Sequence, residues 1–335
     1  MMQPKQTASA AAMTLDAATY ESPWLERFPI QMFGVVMGLG GLGNAWRAAA
    51  RTWDLPPAIG ITLVRLAALV FVGLLLTLAA KLVRHRDAVA AEFRHPVKSN
   101  FFGAISVSAI IMSIAFREDW PEAARAAWVA GAAFHFVLAV TFMRRWVLEQ
   151  QDEAEMTPAW FIPIAGNFLV PVGGVPLGFV ETSWFFFSVA LVFWLVLFTI
   201  AMHRVVFCAP LSEKSVPTLF ILLAPPSIGL SAYFAFTGGD AGPLAHILYC
   251  FGLFVAILIA SLANRFLQVH YFLSWWAMTF PSSAWAGACI SYYKVHPTPV
   301  TALVAGLALL IATALLAVVC VRTLVALGQG ALLRE

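Results

Sequence analysis

The chain has 335 residues, of which 61% are hydrophobic and only 11% charged, with a mean hydropathy of +0.85. Soluble domains run near about 45–50% apolar and about 25% charged, so this composition excludes an ordinary soluble domain and indicates an integral membrane protein. The net charge of +3 is too small to imply a nucleic-acid partner.

Residues 1–26 are polar and mixed, with no short apolar core ahead of a small-residue cleavage site. They read as a cytoplasmic N-terminal segment rather than a signal peptide. A window of about 20 residues then finds ten candidate spans. They lie at 28–46, 57–80, 97–116, 121–143, 160–179, 182–202, 217–237, 243–263, 271–293 and 298–322. Residues 27–325 form one transmembrane domain on this reading, and 326–335 a short cytoplasmic tail. The predicted fold class is an all-α integral membrane protein.

Lys and Arg outside the spans divide unevenly. Fourteen fall on the side of the N-terminus and of the 81–98 loop, and five, Arg47, Arg51, Arg117, Arg125 and Lys294, fall opposite. The positive-inside rule then puts both termini in the cytoplasm, and the expected location is the cell's inner (plasma) membrane. Arg65 lies inside the second span. It either snorkels to the outer interface or pairs with inner-helix carbonyls and attracts anions.

Odd and even spans differ in kind. Even spans are smooth and apolar, such as WFFFSVALVFWLVLFTIAM (184–202), whereas odd spans carry Gly, Pro and small polar residues. Irregular backbone at membrane depth is tolerated only inside protein or along a water-filled cavity, so odd helices should be interior and even helices should face lipid. The odd spans also repeat a step: Phe33-Gly34, Phe102-Gly103, Ala165-Gly166, Ala224-Pro225 and Phe280-Pro281, at intervals of 69, 63, 59 and 56 residues. Five inner–outer hairpins in one orientation suggest a quasi-fivefold ring whose inner helices line a pore. Gly and Pro also permit plain close packing.

At Phe280-Pro281 the proline removes a backbone donor and clashes with the carbonyl of Ala277. The hydroxyls of Ser282 and Ser283 follow, to satisfy freed groups or face the conduit. The central turns of the inner helices hold no Asp, Glu, Lys, Arg or His, so neither the proton relays of pumps nor the acidic rings of cation channels are present. Partially positive half-helix starts and a basic cytoplasmic mouth point to anions, although the same basic residues satisfy the topology rule.

Cys208, Cys250, Cys289 and Cys320 are singletons without metal or disulfide spacing. His135 and His246 sit singly on outer helices, as structural residues rather than haem ligands. No nucleophile-and-base set, cofactor site or metal site is apparent, and the chain does not read as an enzyme.

The segments RFPIQMFGVVMGLGGL (27–42), HPVKSNFFGA (95–104), IAGNF (164–168), LAPPS (223–227) and WWAMTFP (275–281) together resemble the tellurite-resistance/dicarboxylate transporter family. That family includes bacterial tellurite-resistance proteins, fungal malate carriers and plant guard-cell slow anion channels. The resemblance covers roughly residues 25–325. It implies ten helices in five hairpins, a homotrimer with one pore per subunit, and conduction of small monovalent anions such as chloride or nitrate. It also implies that Phe280, matching the family's pore-blocking phenylalanine, is the gate, with Phe33, Gly34, Phe102, Gly103, Gly166, Asn167, Pro225, Pro281 and Ser282 lining the pore or forming its kinks. The long tails of the plant channels are not matched, so regulation by tail phosphorylation is not expected. A secondary carrier for C4-dicarboxylates or other organic anions, or a tellurite-resistance-type exporter, is the alternative.

Overall fold

The computed structural model describes residues 23–330; the N-terminal and C-terminal segments proposed from sequence lie in part outside these described residues, at 1–22 and 331–335. The described residues are helical or in short connections, with no strand among them. The long helices are α1 (Phe33–Trp53), α2 (Ala58–Arg84), α3 (Gly103–Phe116), α4 (Pro121–Leu148), α5 (a segmented span, Pro158–Leu177), α6 (Val180–Phe207), α7 (Ala224–Thr237), α8 (Pro243–Ser261), α9 (Thr279–Val295) and α10 (Pro299–Gly328).

Eight stretches among the described residues are long and apolar enough to cross a membrane, against the ten spans expected. The two that fall short contain α1 and α9. Both carry glycines, tryptophans or serines, and both pack against protein rather than presenting a smooth apolar face. A helix whose neighbours are other helices need not be as apolar as one facing lipid.

Burial separates two layers. In the most apolar window of each stretch, 78%, 72% and 67% of residues are buried for Lys98–Phe116, Pro158–Leu177 and Glu213–Thr237. The corresponding shares are 22%, 39%, 33%, 33% and 33% for α2, α4, α6, α8 and α10. The even helices thus expose the Leu, Val, Ile and Phe that cost free energy in water and none in hydrocarbon. Each pairs with its predecessor: α1 with α2, α3 with α4, α5 with α6, α7 with α8, α9 with α10. The odd helices also pack on one another in a closed circuit: α1 on α3, α3 on α5, α5 on α7, α7 on α9, and α9 back on α1.

Each inner helix is entered through a tighter 3-10 segment. Ile30–Met32 leads into α1, Lys98–Phe102 into α3 and Gly166–Phe168 into the second part of α5. Glu213–Leu223 leads into α7 and Leu273–Met278 into α9. These pitch changes fall within three residues of the repeated step read from sequence. They alter how Pro281 is understood. It occupies the third position of α9, as Pro225 and Pro226 occupy the second and third of α7. The chain before Pro281 is already helical, so the missing N–H frees a carbonyl of the preceding 3-10 turn, and the Ser282 hydroxyl donates to the one at Met278.

Candidate functional site

The five inner segments enclose a cavity of about 60 Å³, to which every one of them contributes. Gln31, Gly34 and Met37 border it from the α1 side, and Phe101 and Val107 from the α3 side. The α5 span contributes Phe161, Ile162, Ala165, Gly166 and Leu169, and the α7 side Ile221, Ala224, Pro225 and Ile228. The α9 side supplies Leu273, Trp276, Ala277, Phe280 and Pro281. Among the described residues no charged side chain borders the cavity, and beside the Trp276 indole only Gln31 brings a polar side chain to it.

Of the residues singled out from sequence, Phe280, Gly34, Gly166, Pro225 and Pro281 meet at this cavity. The other five lie elsewhere. Phe33 is 2% exposed, with its ring edge-on to Phe71 of α2 at 6.2 Å between centroids. Phe102 meets Phe93 in the same way at 5.0 Å. Gly103 packs toward Ile162 and Pro163, where a Cβ would stand 3.0 Å from the Ile162 side chain. Asn167 donates to the Ile164 carbonyl (2.7 Å) and borders a separate cleft beside Phe136 and Val140. Ser282 borders another cleft, beside Trp285.

The reason for the shift at Phe102 is rotational. The junction falls at Phe102-Gly103 as the step predicts, but successive residues of a 3-10 turn point about 120° apart, so two neighbouring side chains cannot both face the cavity. Phe101, just before the predicted Phe102, takes the cavity position. On the α7 and α9 sides the cavity residues, foreseen or not, follow a helical stripe through the step: 221, 224, 225 and 228, and 273, 276, 277, 280 and 281. That i, i+3, i+4, i+7 spacing is the signal that could have found them.

The serines serve the backbone. Ser282 Oγ donates to the Met278 carbonyl (2.6 Å), Ser283 Oγ to Thr279 (2.8 Å) and Ser227 Oγ to Leu223 (2.7 Å). Each bond engages a carbonyl near the pitch change, where intrahelical pairing is disturbed. The sequence had left both roles open for Ser282. Its hydroxyl caps a carbonyl, and the cavity wall is apolar.

Behind the wall lies His135 of α4, fully buried. Ser106 Oγ donates to the Gly103 carbonyl (2.9 Å) and sits 2.8 Å from His135 Nδ1, so Nδ1–H is the donor to Ser106. This is the hydrogen-bonded histidine expected from sequence. It also explains Gly166, where a Cβ would meet His135 Cε1 at 2.6 Å and Nε2 at 2.8 Å. His246 lies apart, with its ring 4.9 Å from that of His296.

Several basic residues on the Lys- and Arg-rich side have internal partners. Lys81 is buried in an ion pair with Glu92 (2.8 Å), and Arg204 donates to the carbonyls of Ala209 (2.6 Å) and Ala154 (3.4 Å). Arg145 donates to the Arg94 carbonyl (2.9 Å) and pairs with Glu149 (3.1 Å). On the opposite side Arg47, Arg51 and Arg117 all pair with Glu118. Arg65 is exposed on α2, away from the central cavity, in a cleft it shares with Asp119 and Trp120.

A family model described as voltage-dependent anion channel (SLAC1) matches residues 27–324. Among curated proteins, the S-type anion channel SLAH2 of Arabidopsis thaliana is 28% identical over 280 residues, 81% of this chain and 53% of its own length. The guard cell S-type anion channel SLAC1 of the same plant is 26% identical over 314 residues, 90% of this chain and 56% of its own length. The tellurite resistance protein TehA homolog of Haemophilus influenzae is 22% identical over 267 residues, covering 79% of this chain and 81% of its own. The chain thus spans about half the length of the plant relatives it matches.

Proposed function

Because the chain belongs to the SLAC1 voltage-dependent anion channel family, we propose that it is an anion-selective channel that passes small monovalent anions through the cavity on the axis of its inner helices, with Phe280 as the gate. The observation that carries this reading is the meeting of all five inner segments at one apolar cavity bordered by Phe280 and Pro281. On this reading the chain crosses the inner membrane ten times as five quasi-equivalent hairpins, with both termini in the cytoplasm. The homotrimer rests on family resemblance alone.

The physical argument runs from size and polarity. One water needs about 10–15 Å³ of such space, so a cavity of about 60 Å³ holds only a few molecules. An anion entering it sheds most of its hydration shell without a compensating charge, and a narrow apolar constriction of this kind blocks conduction by dewetting. Rotation or removal of the Phe280 ring widens the path with no helix displacement. The same cost sets the order of permeant ions. Weakly hydrated nitrate passes more readily than chloride, and a divalent dicarboxylate such as malate pays the largest desolvation penalty.

The test is the reversal potential in asymmetric chloride, nitrate and malate, recorded for the wild type and Phe280→Ala in planar bilayers. Anion-selective currents that grow in Phe280→Ala support the channel. A flux that saturates, follows pH and never resolves into unitary events supports the carrier for organic anions instead. Wild-type current in folded Phe280→Ala removes the gate.

A further inference from the structure

The Phe280 ring has two neighbours of opposite kind. On one side it borders the cavity. On the other it lies against α1 at Gly41, where a Cβ would stand 2.9 Å from Phe280 Cδ2 and 3.4 Å from Cε2. An aromatic carbon tolerates no methyl at that distance, so the ring occupies space that exists because residue 41 has no side chain. The same imagined Cβ would also touch Ser283 Cβ at 3.4 Å, one turn along α9 from the ring. Ser283 is itself held by its bond to the Thr279 carbonyl, 2.8 Å. Packed helix closes the ring in on these sides, and the direction left open to it is the cavity. Close approach of α1 to α9 continues at Gly34, whose Cβ would stand 3.1 Å from Trp276 Cβ.

We propose that Gly41 is a positioning residue for the gate: its bare Cα is the recess that receives the edge of the Phe280 ring and so sets how far the ring reaches into the cavity. A methyl at position 41 drives the ring into the cavity and narrows it. The backbone gives no competing reason for glycine here, because residue 41 lies within α1 with no positive φ, and alanine is the better helix former. The inference rests on the gate reading, and it adds a second residue, on a different helix, that sets where the gate stands.

The experiment compares the full-length wild type with Gly41→Ala, Phe280→Ala and the double variant, each reconstituted at equal protein into bilayers in symmetric chloride. Gly41→Ala should lower the current about fivefold, as couplings between residues in contact run. In the Phe280→Ala background the same substitution should change nothing, because the ring it displaces is gone. Phe280→Val in the Gly41→Ala background should recover current, since valine ends at Cγ and lacks the Cδ and Cε atoms that meet position 41. Such recovery cannot come from a misfolded protein. Equal effects of Gly41→Ala with and without the ring, no effect in either, or a rise in current overturn the assignment. If Phe280→Ala alone conducts as the wild type does, the gate reading itself falls, and that result is distinct from the other three.

Discussion

Replacing Glu92 by Gln isolates one buried charge at the entry to the inner helices. Lys81 is 2% exposed and Glu92 13%, with 2.8 Å between Nζ and Oε2. The ammonium also donates to the Phe28 carbonyl at 2.7 Å, so it links the end of α2, the 86–94 helix and the chain leading into α1. Breaking a buried pair by removing one partner costs about 3–5 kcal/mol, because the remaining charge is left uncompensated. The surviving bond to Phe28 and the partial exposure of Glu92 reduce this, and a loss of about 2–3 kcal/mol is expected. Thermal unfolding of the detergent-purified protein, followed by the fluorescence of its 12 tryptophans, reads the loss directly. The double variant Lys81→Met/Glu92→Leu should recover most of it, since an apolar pair replaces both charges. Unit conductance of the folded Glu92→Gln fraction should match the wild type, because Lys81 faces its partner and not the permeant ion. Melting of Glu92→Gln at the wild-type temperature, or a double variant no more stable than the single, would refute the reasoning.

Gly166→Ala should destabilise by about 1–3 kcal/mol through overpacking against His135, and His135→Ala in the same chain should relieve it; equal melting of the single and double variants would contradict that contact. His95 makes a pH-dependent contribution. Its Nδ1 accepts the N–H groups of Val97 (3.1 Å) and Lys98 (3.3 Å) at the start of the segment leading into α3. Burial, and then the charge of Lys98, hold its pKa below the ordinary 6.5, against the opposing pull of Glu155 and Glu92. The folded state therefore favours the neutral form, and this stabilisation is present above pH 6.5 and is lost as pH falls from there through the lower folded-state pKa. Hydrogen exchange of residues 95–102 at decreasing pH should show the loosening in the wild type and not in His95→Gln. Arg65→Gln should leave stability within about 0.5 kcal/mol and the anion current unchanged, since the side chain is exposed and distant from the cavity. A clear fall in current would return Arg65 to the conduction path.

The division into inner and outer helices was legible in the sequence because each environment selects its own residues. An outer helix such as α6 is apolar through its middle turns, whereas proline and serine gather at the steps of the helices that others cover. The repeated step at Phe280-Pro281 and its four counterparts was legible for the same reason. Which side chain faces the axis was not. It depends on the rotation of each segment about its own axis, which contacts such as that of Phe102 with Phe93 fix and no local sequence pattern encodes. The pairing of Lys81 with Glu92 was equally hidden, since counting charges by side of the membrane says nothing of which are already neutralised. Gly41 and His135 belong to the same class: each acts through a contact between helices distant in sequence, one against the Phe280 ring and one behind Gly166. Composition and periodicity decide what a helix is packed against. Only the tertiary structure decides which residue meets which.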